Sequence, residues 1–375
     1  MNNTVVISSD SHVVEPPDLW VSRIESRFRD RAPRLVSNEK EDYWQCEGAP
    51  PRQVGGMGVA GKPSDQVRRE GRFDKDVPRS GWDPKARVEP IAADGVKAEV
   101  LYPTVGLGVY QTADRELRLA SLMAYNDWIA DFCSAFPNRY KGIAMLDIED
   151  PAWSAQELRR TRKKGLVGGM ISMSSEEEEE YPKPQYEPFW AAAQETDSPI
   201  SLHIVTAKRP VTRYTPGMGA TADVHVRRCL AGMIAGGLFQ RFPTLKVVSA
   251  ENDIGWVPYF MERSDYIAER RQHQSWFTAS RTALPSDQIR QHVHFTFMRD
   301  RCWVPLRETI GIDRIMWASD YPHLDSTWPK SREAIEGILK GVPEAESRKV
   351  VGENAAKLYG FDIAAIATRS DKAPW

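Results

Sequence analysis

Short apolar runs recur along the chain at 5–9, 98–102, 140–146, 165–171, 200–204, 246–249, 293–297 and 315–318. They are largely continuous in apolar character and several end at a polar residue, as parallel strands covered on both faces should. Stretches of helical period lie between most of them. Leu117, Leu119, Ala120, Leu122, Met123, Trp128 and Ile129 form one, behind an N-cap expected at Thr112. Cys229, Leu230, Met233, Ile234 and Leu238 form another, with Gly236-Gly237 near its end. Ala334, Ile335, Ile338 and Leu339 follow the last run and stop at Gly341. Eight such βα units in 375 residues predict one (β/α)8 barrel, a TIM barrel, filling 1–375 as a single domain. A doubly wound open sheet is the rival, but no GxGxxG follows the first run.

Three connections are long enough to distort such a barrel: 36–86, 175–188 and 205–224. Each follows an expected strand, so each is read as a loop insertion over the C-terminal mouth. The glutamates at 176–180 read as a solvated loop. Residues 364–375 read as a loosely held tail or as a segment donated to a neighbouring subunit.

Composition narrows the function. Lys+Arg number 50 against 52 Asp+Glu, a net charge of -2, so no basic face for nucleic acid is expected. No apolar run approaches the roughly 18 residues that span a bilayer. Met1-Asn2-Asn3-Thr4 shows no basic n-region with an apolar h-region behind it. Cys46, Cys133, Cys229 and Cys302 lie far apart without a CxxC pair. A reduced, cytoplasmic protein follows as the expectation.

In a barrel the chemistry gathers where strands end. Asp10 and His12 are two residues apart, so in extended chain they face the same way and can share a metal ion. His203 lies inside an apolar run, Glu251 at the end of the sixth, and Asp320 and His323 beyond the eighth. Each has a plainer reading: His12 capping a loop, His203 a satisfied core histidine, Asp320 a helix cap. Taken together, Asp10, His12, His203 and Asp320 converge from strands one, five and eight. That nitrogen and oxygen set suits one divalent ion, with zinc expected and manganese or iron(II) as alternatives. The other histidines carry less: His225 and His273 read as surface residues, and His292 and His294 flank the start of the seventh strand. Arg299 could bind a substrate carboxylate or pair with Asp300 or Glu251. Trp44, Trp82, Trp256 and Trp328 are compatible with an aromatic pocket, Trp256 being placed with Arg299 on the substrate side.

Asp10-Ser11-His12-Val13-Val14-Glu15-Pro16, Leu202-His203 and Ala318-Ser319-Asp320-Tyr321-Pro322-His323 together resemble amidohydrolase family 2. This branch of the amidohydrolase superfamily includes aminocarboxymuconate-semialdehyde decarboxylase and the resorcylate decarboxylases. Phe136-Pro137-Asn138-Arg139-Tyr140 and Phe242-Pro243-Thr244-Leu245-Lys246 extend the likeness over residues 4–362. The resemblance implies a distorted barrel with one divalent metal at its mouth, held by Asp10, His12, His203 and Asp320. Two departures stand out. The family's first motif is usually His-x-His, and resorcylate-type members use glutamate where this chain has Asp10. Many decarboxylases of the group also carry a histidine after strand six, where this chain reads Ser249-Ala250-Glu251.

These readings put metal-assisted hydrolysis first, with the ion lowering the pKa of bound water. Asp320 would act as base, with Glu251 or His323 as a second acid or base. The substrate expected is a small cyclic or aromatic amide, ester, lactone or carbon–carbon bond. Non-oxidative decarboxylation of a hydroxybenzoate-like acid is the alternative, and a ligand-binding barrel without turnover the third reading. A homodimer is the default assembly.

Overall fold

A computed structural model of the chain describes residues 4–173, 181–206, 216–271, 273–274 and 283–368. In chain order its strands are β1 (Ile7–His12), β2 (Arg34–Ser37), β3 (Asp42–Gln45), β4 (Arg52–Gln53), β5 (Ala98–Tyr102) and β6 (Tyr140–Met145). They continue with β7 (Gly168–Ile171), β8 (Ile200–His203), β9 (Val247–Ala250), β10 (Val293–Phe297) and β11 (Ile315–Trp317). Eight of them form one sheet in the order β1-β5-β6-β7-β8-β9-β10-β11, and every adjacent pair is parallel. Helices cover the sheet between successive strands, making a (β/α)8 TIM barrel.

The strands read as apolar because both faces are covered: every residue of β5, β7, β8, β9, β10 and β11 is buried. The helix Arg115–Ser134 shows how a covering element forms. Leu117, Leu122, Tyr125, Ile129 and Phe132 recur at helical spacing and are all buried. Each such side chain stabilises by about 1.5–3 kcal/mol, so packing outweighs the cap, which is worth about 1 kcal/mol. That cap is Asp114 rather than the expected Thr112. The Asp114 carboxylate accepts the Glu116 and Leu117 amides at 3.0 and 3.3 Å, whereas the Thr112 hydroxyl turns away to Glu47 O.

The barrel closes between β11 and β1 through a seam rich in serine. Asp320 N donates to Asp10 O at 3.0 Å and His12 N to Tyr321 O at 2.6 Å. Ser9 Oγ donates to Trp317 O at 2.8 Å, and Ser319 N donates to Ser8 Oγ at 2.9 Å. Buried hydroxyls thus satisfy each other here, as buried polar groups must. The register of β1 on β5 shifts between Ser8 and Ser11, so the strand runs on through Asp10 and His12 instead of ending at residue 9.

The first insertion is more ordered than a polar loop. Residues 36–86 contain most of an antiparallel β2-β3-β4 sheet and the start of the helix Pro84–Ala93. Strands of two to four residues carry too little pattern to be read from sequence alone. Trp44 on β3 is buried and meets Trp20 edge-on at 5.6 Å and Phe73 at 6.4 Å. Residues 364–368 of the expected tail belong to a helix, Ile363–Thr368, anchored by fully buried Ile366. The glutamates at 176–180, residues 207–215 and the end of the tail from 369 lie outside the described residues. Among the described residues no helix is long and apolar enough to cross a membrane.

Candidate metal centre at the barrel mouth

Asp10 and His12 sit on one side of β1, as their spacing of two in extended chain dictates. His203 is the last residue of β8, Glu251 follows β9 directly, and Asp320 lies three residues beyond β11. These five side chains meet at the mouth. His12 Nε2 stands 3.5 Å from each of Asp10 Oδ1, Asp320 Oδ1 and Glu251 Oε2. His203 Nε2 stands 3.2 Å from Glu251 Oε2 and 3.7 Å from Asp10 Oδ1. His323 joins through Asp320, Nδ1 to Oδ1, at 2.9 Å.

The histidine tautomers follow from their other nitrogens. His12 Nδ1 faces Pro103 O at 2.8 Å and His203 Nδ1 faces Ile204 O at 2.9 Å. A carbonyl only accepts, so each Nδ1 carries a proton and each Nε2 can present a lone pair to the carboxylates. Backbone carbonyls orient metal-binding imidazoles in the same way.

The residues fit a divalent cation. Both Asp10 oxygens, both Nε2 atoms and Asp320 Oδ2 are buried without a hydrogen-bond partner. Separations of 3.2–3.7 Å exceed the roughly 2.7–2.9 Å of charge-assisted hydrogen bonds. They match atoms that share one ion at about 2.0–2.2 Å each, which stand roughly 3.0–3.6 Å apart. Charge agrees. Burial, then the negative charges of Glu251 and Asp10, push the Asp320 carboxyl well above the usual range against the pull of His12 and His203. Three carboxylates this close repel unless a cation lies among them.

Supporting residues hold this mouth in shape. Buried Glu15 accepts the Val105 and Gly106 amides at 2.8 and 2.9 Å. It thereby fixes the turn that carries Pro103, the partner of His12, and Thr104, whose Oγ1 lies 2.9 Å from His323 Nε2. Gly106 is required by this close approach, since a Cβ there would sit 2.8 Å from Met145 Sδ and 2.9 Å from Pro103 Cβ. Arg87, fully buried, forms two 2.8 Å bonds to Glu99 and donates to His12 O at 2.8 Å and Tyr321 O at 3.4 Å. It ties the ends of both seam strands together. Neither Arg87 nor Thr104 was legible as part of the site, because a helix residue and a turn hydroxyl carry no spacing signal.

Arg299 and Trp256 stand apart from the cluster. Arg299 is exposed and donates to Ser326 O at 2.8 Å, bracing the loop after β11. Trp256 packs edge-on against Phe295 and Phe260, with Nε1 donating to Asn252 O at 2.9 Å. Trp82 packs against Phe73 and Trp328 against Tyr321, so these aromatics, with Trp44, serve packing. The cation nearer the site is Arg52 on β4, exposed, with Nη1 donating to Thr104 O at 2.7 Å. It was hidden in an insertion read only as polar loop. A cation in the segment that follows strand one was the available signal. Asp253 and Asp300 lie at the rim, where burial and their mutual repulsion raise Asp253 to about 7.

The amidohydrolase family model matches residues 12–361. A gamma-resorcylate decarboxylase from Rhizobium radiobacter is 26% identical over 299 residues, covering 74% of this chain and 86% of the relative. Among solved structures, an amidohydrolase from Mycobacterium avium subsp. paratuberculosis K-10 superimposes with a TM-score of 0.76 at 21% identity, over 96% of this chain and all of the other. A 5-carboxyvanillate decarboxylase from Novosphingobium aromaticivorans, complexed with manganese and 4-hydroxy-3-methoxy-5-nitrobenzoic acid, superimposes with a TM-score of 0.68 at 21% identity, over 95% of this chain and 96% of its own. With the family match running from the last residue of β1 to beyond β11, the chain belongs to the amidohydrolase family.

Proposed function

We propose that the protein is a divalent-metal-dependent, non-oxidative decarboxylase of a hydroxybenzoate-like acid. The observation that carries the reading is the set of buried, unpartnered Asp10, His12, His203 and Asp320 atoms, with the Arg52 guanidinium held nearby on Thr104 O. The name of the gamma-resorcylate relative supports the substrate class. Hydrolysis through metal-activated water, placed first from sequence, gives way because the relatives are named as decarboxylases.

Asp10, His12, His203 and Asp320 would hold the ion. When bound, it supplies an electrostatic anchor for the carboxylate and phenolate oxygens of the substrate. Manganese stands ahead of zinc in this reading, because a carboxylate-rich set favours a harder ion and a relative of this fold is a manganese complex. Arg52 would pair its guanidinium with the substrate carboxylate. Asp320 and His323 keep a proton in a chain that ends on Thr104. The bond from ring carbon to carboxyl carbon breaks, its electron pair stays on the ring carbon, and that carbon takes the proton from Asp320 as carbon dioxide leaves. A metal-replete screen that follows carbon dioxide release and water addition together tests the assignment. Water addition without carbon dioxide release would contradict it.

A further inference from the structure

Glu251 is set apart from the other carboxylates of the mouth by two features. Asp10 and Asp320 are fully buried, whereas the Glu251 side chain keeps 18% of its surface exposed. Glu251 also adopts φ +56°, a left-handed conformation that costs a non-glycine residue about 1–3 kcal/mol. Such strain persists only where surroundings impose it. Here Glu251 N donates to Thr296 Oγ1 at 2.9 Å, which turns the chain just past β9 and sends the side chain towards both histidines.

The carboxylate stops at 3.2 Å from His203 Nε2 and at 3.5 Å from His12 Nε2, the latter the separation that Asp10 and Asp320 also keep from His12. Glu251 Oε2 thus reaches the Nε2 atoms of both imidazoles at once, as a group that shares their ion does.

We propose that Glu251 is a fifth protein ligand of the metal, closing the coordination position on the solvent side of the site. The inference rests on the metal site proposed above and changes its character. With Asp10, Asp320 and Glu251 all bound, three carboxylates outweigh the two positive charges of the ion. A substrate carboxylate then has to displace Glu251, the one ligand within reach of water, to gain the metal with both of its oxygens. Substrate entry and ligand release become a single exchange.

Manganese(II) alone is a sufficient probe. Its dissociation constant and the number of exchangeable waters on the bound ion, counted by water relaxation, are measured for the full-length protein and for Glu251→Gln and Glu251→Ala. Melting in chelator checks that each variant folds, and Gln preserves the packing if Ala does not fold. The expected result is a dissociation constant at least tenfold weaker and one additional bound water in each folded variant. Unchanged affinity, or weaker affinity with an unchanged water count, overturns the proposal, since a charge effect alone adds no water. Absence of manganese or zinc binding by the unmodified protein would overturn the metal site itself, which separates the two failures.

Discussion

Glu251 and Asp320 enter the mouth with one backbone conformation, φ +56° in each, although they follow different strands. Both are non-glycine residues in the left-handed region, and both send a carboxylate towards His12 Nε2 at 3.5 Å. The folded chain therefore holds strain and like charge together where a cation would relieve the second.

Asp320→Asn tests that balance. Asparagine accepts the left-handed conformation and removes the charge that Glu251 and Asp10 oppose. The chelated variant is expected to melt no lower than the chelated wild type. The stabilisation gained on adding manganese is expected to shrink by at least about 1.4 kcal/mol, the equivalent of a tenfold loss in affinity. Calorimetry with and without metal reads both quantities.

The Arg87–Glu99 pair holds the seam from outside the site. Both side chains are fully buried, and removing one leaves the other charge stranded. Arg87→Met or Glu99→Leu alone is expected to cost about 3–5 kcal/mol in urea denaturation. The double substitution is expected to recover a large part of that loss. Additive losses would show that the two do not act as a pair.

Arg52 is assigned to the substrate rather than to the fold. A charge-assisted bond contributes about 1.5–3 kcal/mol, so Arg52→Met is expected to raise KM for an acid substrate by roughly 10–150-fold. The manganese dissociation constant should not move, and Arg52→Lys should keep part of the effect. Loss of metal in Arg52→Met would place the residue in the site's architecture instead.

His294 supplies a pH dependence remote from the mouth. Burial, then the nearby positive charge of Arg314, lowers it from 6.5 to about 3 in the folded chain. Arg314 Nη1 donates to its Nε2 at 3.0 Å, which requires the neutral ring. The unfolded chain binds this proton first as pH falls. The stabilisation is therefore complete above pH 6.5 and is lost progressively down to about 3. Between pH 6.5 and 4.5 the wild type is expected to lose on the order of 2–3 kcal/mol more than His294→Gln, which accepts the Arg314 bond without titrating. Parallel curves would contradict this.

The barrel could be read from its strands because burial on both faces leaves them largely apolar, and 98–102 and 293–297 coincide with β5 and β10. The first strand could not be bounded. Serines at 8, 9 and 11 look like a strand end, yet their hydroxyls are consumed in the β1–β11 seam, a pairing 308 or more residues away in sequence. Asp10 and His12 were legible through the period of two. Arg52 was not, because β2, β3 and β4 are short and their order comes from packing Trp44 against Trp20 and Phe73. Thr104 and Arg87 act through partners that only folding brings near.

The central claim is metal-dependent loss of carbon dioxide, and carbon-13 NMR of carboxyl-labelled 2,6-dihydroxybenzoate tests it most directly. The account predicts labelled bicarbonate and resorcinol in equal amounts from the manganese-loaded protein. It also predicts none after chelation, recovery on adding manganese back, and none from Asp320→Asn. Label retained in the carboxyl group across a panel of 2-hydroxybenzoates, while the same metal-loaded protein adds water to an ester or lactone, would contradict it.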